Sequence, residues 1–328
     1  MKILVTGGAG FIGSNLVEAL LEDDSVTFVR VLDNLSTGFE RNIEPFYSHP
    51  NFEFMKGDIR DYDTCLLACK EIDVISHQAA LGSVPRSIKD PLTTNAVNIN
   101  GSLNIFTAAK TANIKRIVFA ASSSTYGDNN DLPKIEDNIG KPLSPYAVTK
   151  LVNELYADVF ASLYGIEYVG LRYFNVFGPK QDPSGAYAAV IPLFIKAAIE
   201  GKAPTINGDG TNSRDFTYIA NVSQANKLAL FTPSDRANTK EADKVFNQIY
   251  NVAYGDRTTL NELWSHIQKV VNVELAAIHG PGRLGDIPHS LADISKAKQR
   301  LKYQPDFDVK TGLELAYQWY SEELATSN

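Results

Sequence analysis

A glycine-rich segment directly after the first predicted strand constrains the fold more than any other feature of this sequence. The segment runs Gly7-Gly8-Ala9-Gly10-Phe11-Ile12-Gly13 between the apolar strand Ile3–Thr6 and an amphipathic helix. Glycine permits the sharp turn at Gly7, a close backbone approach at Gly10 and tight helix packing at Gly13. Because the first N–H groups of a helix lack partners, the segment is suited to hold a diphosphate. The alternative is a simple glycine turn.

An acidic residue at the end of the second predicted strand favours the dinucleotide interpretation. Asp33 follows the glycine segment by about 20 residues, the spacing at which an acid accepts hydrogen bonds from the adenosine ribose. A carboxylate there would repel a 2′-phosphate, so NAD is favoured over NADP. Asp58 and Ile59, after the third strand, are expected beside the adenine. An ordinary turn remains an alternative for both Asp33 and Asp58.

The first half of the chain alternates short β-branched runs with amphipathic stretches. This order predicts an α/β fold, a doubly wound parallel sheet covered by helices on both faces. The predicted strands are Ile3–Thr6, Phe28–Leu32, Phe52–Lys56, Val74–His77, Arg116–Ala120 and Glu167–Arg172. The predicted helices are Phe11–Leu21, Tyr62–Lys70, Asn95–Ala112 and Pro145–Tyr164. After about Phe174 the alternation gives way to Pro- and Gly-punctuated segments, which indicates a second, smaller region.

Charge and composition exclude several classes of protein. The net charge is −7, and Lys and Arg do not cluster, which argues against a nucleic-acid surface. No apolar run is long enough to span a membrane, and Met1 leads directly into a strand. Cys65 and Cys69 suit two reduced core thiols better than a disulfide or metal site. We therefore expect no nucleic-acid partner, no membrane association, no metal and a cytoplasmic location.

A second group of residues predicts catalysis. Ser122-Ser123-Ser124 follows the strand near Ala120, and Tyr146 and Lys150 lie four residues apart on one face of a predicted helix. A Lys ammonium beside a phenol lowers the pKa of the phenol from about 10, which makes a tyrosinate base feasible. Ser122 would orient the substrate oxygen. A Tyr and Lys pair is often only a helix-surface coincidence, but the neighbouring motifs favour a catalytic role.

These residues resemble the nucleotide-sugar epimerase branch of the extended short-chain dehydrogenases over essentially the whole chain. The branch motifs are Thr6-Gly-Gly-Ala-Gly-Phe-Ile-Gly13, Asp33-Asn-Leu-Ser-Thr-Gly38, His77-Gln-Ala-Ala80, Ser122-Ser-Ser-Thr-Tyr-Gly127, Tyr146-Ala-Val-Thr-Lys150 and Arg172-Tyr-Phe-Asn-Val-Phe-Gly178. The chain is most similar to UDP-N-acetylglucosamine 4-epimerases through Leu81-Gly-Ser-Val-Pro-Arg-Ser87, Gln181-Asp-Pro183, Gly185-Ala-Tyr-Ala-Ala-Val-Ile-Pro192 and Gly285-Asp-Ile-Pro-His-Ser290.

The resemblance implies a Rossmann domain and a smaller, interleaved α/β substrate domain. Residues 1–174, with a returning segment at about 216–254, would bind NAD, and residues 175–215 and 255–328 would bind a UDP-sugar. The implied cofactor contacts are Gly7, Gly10, Phe11, Ile12, Gly13, Asp33, Asn34, Ser36, Gly38, Asp58, Ile59, Gln78, Ala79, Ala80, Tyr146 and Lys150. The implied substrate contacts are Gly82, Ser83, Ser122, Ser123, Ser124, Asn175, Ala189, Val190, Asn207, Arg214, Arg283, Asp286 and Ser290.

The resemblance also assigns parts of the sugar nucleotide to the second region. Asn175 would lie near the pyrophosphate, Ala189 and Val190 at the uracil, and Arg214 and Arg283 on the phosphates. Arg supplies the bidentate geometry that a diphosphate requires, although surface charge is the alternative for both arginines. Asn207 and Gln181 are further polar candidates.

The implied activity is NAD-dependent inversion of C4 of a UDP-hexose through a transient 4-keto sugar, most simply interconversion of UDP-GlcNAc and UDP-GalNAc. Dehydrating relatives carry Asp-Glu after the catalytic Ser or Thr and decarboxylating relatives a Glu, whereas this chain has Ser123 and Ser124. The alternatives are a UDP-glucuronate or UDP-N-acetylglucosaminuronate 4-epimerase, a nucleotide-sugar dehydrogenase or reductase, and a non-catalytic binding protein.

Two further expectations concern the partner subunit and the sugar. The resemblance implies a homodimer through the helices Asn95–Ala112 and Pro145–Tyr164, with Val97, Leu103, Val152, Leu155 and Val159 as candidates for the apolar seam. These residues could equally face their own sheet.

The resemblance also places Ser290 beside the sugar substituents, where a small residue leaves room for an N-acetyl group. The alternative for Ser290 is a cap for a helix beginning near Asp293.

Overall fold

The structure is a computed structural model that describes residues 1–183, 188–235, 238–282 and 288–326. Residues 325 and 326 are described by their backbone alone. The strands are β1 Lys2–Thr6, β2 Phe28–Asp33, β3 Phe52–Lys56, β4 Val74–His77, β5 Arg116–Ser122, β6 Glu167–Tyr173, β7 Val176–Phe177, β8 Thr205–Asn207, β9 Ser213–Arg214, β10 Thr217–Tyr218, β11 Gln248–Val252, β12 Thr258–Thr259 and β13 Ile278–Gly280.

The α-helices are α1 Phe11–Leu21, α2 Tyr62–Ala68, α3 Val84–Lys89, α4 Pro91–Asn95, α5 Ser102–Thr111, α6 Pro145–Tyr164, α7 Val190–Ile199, α8 Ile219–Phe231, α9 Leu260–Val271 and α10 Val309–Thr326. Short 3₁₀ segments are Glu40–Asn42, Glu44–Phe46, Ser123–Tyr126 and Glu241–Asp243, and π-helical segments are Ala96–Gly101 and Ala297–Leu301. Within the described part of the chain, no helix is long and apolar enough to cross a membrane.

The central sheet has seven parallel strands in the order β11-β6-β5-β4-β1-β2-β3. This order confirms the predicted doubly wound α/β fold and all six predicted strands. The seventh strand, β11, pairs with β6 at the sheet edge, with Tyr250 opposite Leu171. This strand lies within residues 216–254, the segment expected to return to the NAD-binding domain. We propose the interleaved domain division on that basis.

Alternating residues of the strands fill two cores, one on each face of the sheet. On one face, Ile3 and Val5 of β1 pack with residues of α1 and α8, such as Leu16 and Val222. On the other face, Leu4 of the same strand packs with α2, α5 and α6. Burial of this apolar surface on both sides is what holds a parallel sheet between two helical layers.

The predicted helix Asn95–Ala112 is divided in the structure, because α4 continues through the π-helical segment Ala96–Gly101 into α5. The wider turn contains Asn98, whose Oδ1 accepts from Leu81 N at 2.8 Å and whose Nδ2 donates to Leu81 O at 3.2 Å. The segment therefore fixes the loop after β4, which periodicity alone does not reveal. The predicted helix Tyr62–Lys70 ends at Ala68.

The two cysteines confirm the expectation of reduced core thiols. Cys65 and Cys69 are buried and free. Burial raises the pKa of each thiol to about 12, so neither is a reactive thiolate at neutral pH.

Candidate functional site

A cavity of about 1270 Å³ lies at the carboxyl ends of the sheet strands, where parallel α/β folds bind ligands. From the predicted cofactor set it is lined by Gly7, Gly10, Phe11, Ile12, Gly13, Asp33, Asn34, Ser36, Asp58, Ile59, Gln78, Ala79, Ala80, Tyr146 and Lys150. From the predicted substrate set it is lined by Gly82, Ser83, Ser122, Ser123, Ser124, Asn175, Arg214 and Ser290, and Gln181 also lines it. The structure thus brings most of the predicted residues into one space.

Some predicted residues do not line this cavity. Gly38 packs against the glycine segment instead, where a Cβ would come within 2.7 Å of the Ala9 carbonyl carbon. Ala189 is exposed at the start of α7, and Asn207 lies in β8, so their roles and that of Val190 stay predictions. Arg283 and Asp286 lie outside the described residues.

The glycine segment has the shape that the sequence predicts. Gly7 has a φ of 70°, and a Cβ there would lie 2.6 Å from Ala79 N. A Cβ at Gly13 would lie 2.1 Å from Gly7 O, so neither position accepts a side chain. Gly10 precedes α1 without a side-chain cap, which leaves the helix N-terminus available to a diphosphate.

Asp33 is held beside this segment. Its Oδ2 accepts from Ala9 N at 3.0 Å and its Oδ1 from Leu35 N at 2.8 Å. Burial raises the pKa of Asp33, although both hydrogen bonds favour the carboxylate. Asn34 Nδ2 donates to Asp58 Oδ2 at 2.8 Å, which joins the ends of β2 and β3. The glycine cradle and these two acids fit the diphosphate and adenosine of NAD.

The proposed catalytic group lies at the ends of β5 and α6. Ser122 Oγ accepts from Ser124 N at 3.2 Å and from Ser124 Oγ at 2.9 Å, and it is also a hydrogen-bond partner of Tyr146. Lys150 Nζ donates to Ala120 O at 2.8 Å and lies 5.9 Å from the centroid of the Tyr146 ring. The three side chains that the motifs singled out therefore meet on one wall of the cavity.

The electrostatics of Tyr146 differ from the sequence expectation. We expected Lys150 to lower the pKa of the phenol, but burial raises it, and the Ser122 hydrogen bond offsets this only in part. Burial also lowers the pKa of Lys150 to about 8, against the opposing charge of Glu154.

The far end of the cavity is formed by β9 and the loop that contains Ser290. Arg214 Nη1 donates to Ser213 O at 2.9 Å and to Pro288 O at 3.2 Å, and Ser290 N donates to Ser213 O at 3.0 Å. At the next helical segment, Asp293 Oδ1 accepts from Ser295 N at 2.7 Å. Asp293 thus takes this backbone N–H, and the role of Ser290 beside the sugar stays a prediction.

Sequence reasoning missed several polar residues that line the cavity, among them Lys134, Tyr173 and His289. Tyr173 and His289 lie inside motifs quoted above, so position within the motif was an available signal. Lys134 is buried, and its Nζ donates to Asn129 O at 2.5 Å, while its backbone N donates to Leu291 O at 2.8 Å. That contact joins segments more than 150 residues apart in the sequence, and no local pattern predicts it.

Comparison with known proteins also indicates an NAD-binding enzyme. The model of the NAD dependent epimerase/dehydratase family matches residues 3–253. A UDP-glucose 4-epimerase of Mycolicibacterium smegmatis is 36% identical over 322 residues, which cover 98% of each chain.

Two solved structures are similar over nearly their whole length. A UDP-N-acetylglucosamine 4-epimerase from Methanobrevibacter ruminantium M1, in complex with UDP-N-acetylmuramic acid, is 41% identical with a TM-score of 0.89 and 98% coverage of both chains. A UDP-glucuronic acid 4-epimerase from Bacillus cereus, in complex with UDP-glucuronic acid and NAD, is 32% identical with a TM-score of 0.88, covering 98% of this chain and 100% of the other. The chain belongs to the NAD dependent epimerase/dehydratase family.

Proposed function

We propose that this enzyme inverts C4 of a UDP-linked N-acetylhexosamine, interconverting UDP-GlcNAc and UDP-GalNAc. The observation that carries the proposal is that Ser122, Tyr146 and Lys150 share one cavity with the glycine cradle and with Ser290. The similar enzyme from Methanobrevibacter ruminantium, which is named for UDP-N-acetylglucosamine, supports the acetylated sugar.

In this mechanism, Tyr146 removes the proton of the sugar 4-hydroxyl. When bound, NAD supplies the acceptor and donor of the C4 hydride, together with a positive charge that favours the tyrosinate. Ser122 binds the same sugar oxygen through its hydroxyl, and Tyr146 returns the proton after the 4-keto sugar has turned over. Arg214 and Asn175 would hold the UDP group meanwhile, so that binding energy remote from C4 retains the ketose. No net oxidation results.

Ser290 is the residue proposed to determine the sugar. It is small, it lines the cavity, and its loop is fixed to β9 by its backbone N–H. A small side chain leaves room for an N-acetyl group, whereas a bulky one would exclude it. A uronic acid substrate is the second candidate, because the similar Bacillus cereus enzyme acts on UDP-glucuronic acid.

The experiment that tests the proposal is a substrate panel. The purified enzyme is incubated with UDP-Glc, UDP-GlcNAc, UDP-GlcA and UDP-GlcNAcA, and the C4 epimers are resolved by NMR. We expect the highest kcat/KM for UDP-GlcNAc. A higher value for either uronic acid would overturn the choice of sugar, and release of reduced cofactor without an epimer would identify a dehydrogenase.

We also propose that the enzyme is a cytoplasmic homodimer. Val148, Leu155, Val159 and Leu163 of α6 are each between 45% and 67% exposed and lie at spacings of seven and four residues, on one face of the helix. Val97, Leu103 and Val152 are only partly buried. Pairing of this face with a second copy would cover it. Light scattering should give the mass of a dimer at micromolar concentration, and a monomer would end the proposal.

A further inference from the structure

Three side chains form a closed ring of hydrogen bonds on the α8 face of the sheet. Gln78 Nε2 donates to Asn226 Oδ1 at 3.0 Å, Asn226 Nδ2 donates to Tyr173 Oη at 2.9 Å, and Tyr173 Oη donates to Gln78 Oε1 at 3.1 Å. Gln78 follows β4, Tyr173 ends β6, and both line the cavity. Asn226 lies in α8 and is fully buried.

One backbone carbonyl fixes the direction of every bond in this ring. Asn226 Nδ2 also donates to Val222 O at 2.9 Å, and a carbonyl oxygen can only accept. The amide of Asn226 therefore has a single orientation, with Oδ1 toward Gln78. Because Gln78 Nε2 must donate to that oxygen, Gln78 Oε1 faces Tyr173 and accepts a hydrogen bond from its hydroxyl group.

The ring leaves only acceptors for a ligand. Both hydrogens of Gln78 Nε2 are used, one by Asn226 Oδ1 and one by Ser76 Oγ at 2.9 Å. The hydroxyl proton of Tyr173 is directed to Gln78, and burial raises the pKa of Tyr173 to about 12, so the hydroxyl stays protonated at neutral pH. The lone pairs that remain on Tyr173 Oη and Gln78 Oε1 can accept but not donate.

We propose that Asn226 is a positioning residue for the cofactor, which holds Gln78 and Tyr173 as an acceptor-only surface for the carboxamide N–H group of the nicotinamide. The surface lies in the same cavity as Ser122 and Tyr146, at adjacent strand ends, so it faces the reactive end of a bound dinucleotide. The carboxamide carries two N–H donors and is the complementary group there. The inference concerns NAD and does not depend on which sugar is the substrate.

The test uses a pair of dinucleotides that differ in this donor. Purified enzyme is equilibrated with equal concentrations of NAD and its 3-acetylpyridine analogue, which has a methyl ketone in place of the carboxamide. After free nucleotide is removed, the two bound species are quantified by mass spectrometry. One neutral hydrogen bond to a buried acceptor predicts a preference of about 5- to 10-fold for NAD.

Asn226→Leu should reduce this preference to below about twofold, because the freed Gln78 amide can turn and present its N–H groups. Tyr173→Phe removes one of the two acceptors but leaves Gln78 oriented by Asn226, so it should reduce the preference by a smaller factor. Gln224→Leu is the matched control: it removes an amide from the same helix, whose Nε2 binds Asp306 Oδ2 at 2.9 Å outside the ring. It should keep the wild-type preference.

The ratio of bound nucleotides separates positioning from a merely structural role, because loss of stability alone lowers the binding of both nucleotides equally. An unchanged ratio in Asn226→Leu would overturn the proposal, and so would an equal loss in Gln224→Leu. Since the ratio is measured without any sugar nucleotide, the result is independent of the proposed epimerase activity.

Discussion

Arg172 binds both carboxylate oxygens of Glu154, with Nε 2.9 Å from Oε1 and Nη2 2.7 Å from Oε2. Both residues are buried, and Glu154 lies one helical turn after Lys150 on α6. The guanidinium thereby pairs with a carboxylate inside the protein, close to the proposed catalytic lysine. The negative charge of Glu154 raises the pKa of Lys150, which burial lowers to about 8.

The first prediction concerns pH. The Lys150 ammonium lies 5.9 Å from the centroid of the Tyr146 ring, where a positive charge favours the tyrosinate. Lys150 loses its proton as the pH rises through about 8, so kcat should fall on that alkaline limb. Glu154→Gln removes the charge that raises this pKa, and the limb should move to lower pH. The measurement is kcat against pH for both proteins.

The control for this variant is Glu167→Gln. Glu167 Oε2 accepts from Arg116 Nε at 3.1 Å and from Nη2 at 2.8 Å, at the opposite end of β6 from Arg172. Glu167→Gln should lower the free energy of unfolding without moving the alkaline limb of kcat. Glu154→Gln should move the limb and also lower the free energy of unfolding, by about 3 kcal/mol. A limb that stays in place in Glu154→Gln would contradict the assigned role of the charge.

The second prediction concerns the glycine cradle. Gly13→Ala would place a Cβ 2.1 Å from Gly7 O and should displace the segment, so the purified protein should retain little NAD. Gly282→Ala is the control, since its Cβ would meet no described residue within 4 Å. Bound NAD is measured by absorbance after denaturation of the purified protein. Equal NAD content in the two variants would show that the segment does not hold the cofactor.

The third prediction concerns the sugar. Ser290→Tyr should abolish turnover of UDP-GlcNAc by steric exclusion and spare UDP-Glc, because the added ring occupies the space proposed for the N-acetyl group. The ratio of kcat/KM for the two substrates should fall by at least about tenfold. If the ratio is the same in wild type and variant, Ser290 does not select the sugar.

Much of this architecture is predictable from sequence, because it rests on local patterns. Buried parallel strands require near-continuous β-branched runs, and the glycine segment needs glycine at Gly7 and Gly13 for steric reasons that the structure confirms. The meeting of Ser122 with Tyr146 follows from the position of strand ends in such a sheet. These features carry their own signal within a few residues.

The remainder depends on tertiary contacts that leave no local pattern. In the sequence, Asn226 is one polar residue of an amphipathic helix, 148 residues from Gln78. In the structure, its Oδ1 accepts a hydrogen bond from Gln78 Nε2. The π-helical segment around Asn98 is set by its bonds to Leu81. The raised pKa of Tyr146 reflects burial, which a Tyr and Lys spacing cannot report.

The most direct test of the account is the fate of UDP-GlcNAc in the presence of wild-type enzyme and Tyr146→Phe, with no NAD added beyond what each protein holds. We predict that NMR shows wild type forming the C4 epimer catalytically without release of reduced cofactor. Tyr146→Phe should keep its fold and bound NAD and lose about 10²- to 10⁴-fold in rate. Activity of Tyr146→Phe within a few-fold of wild type, or reduced cofactor released in proportion to substrate, would contradict the account.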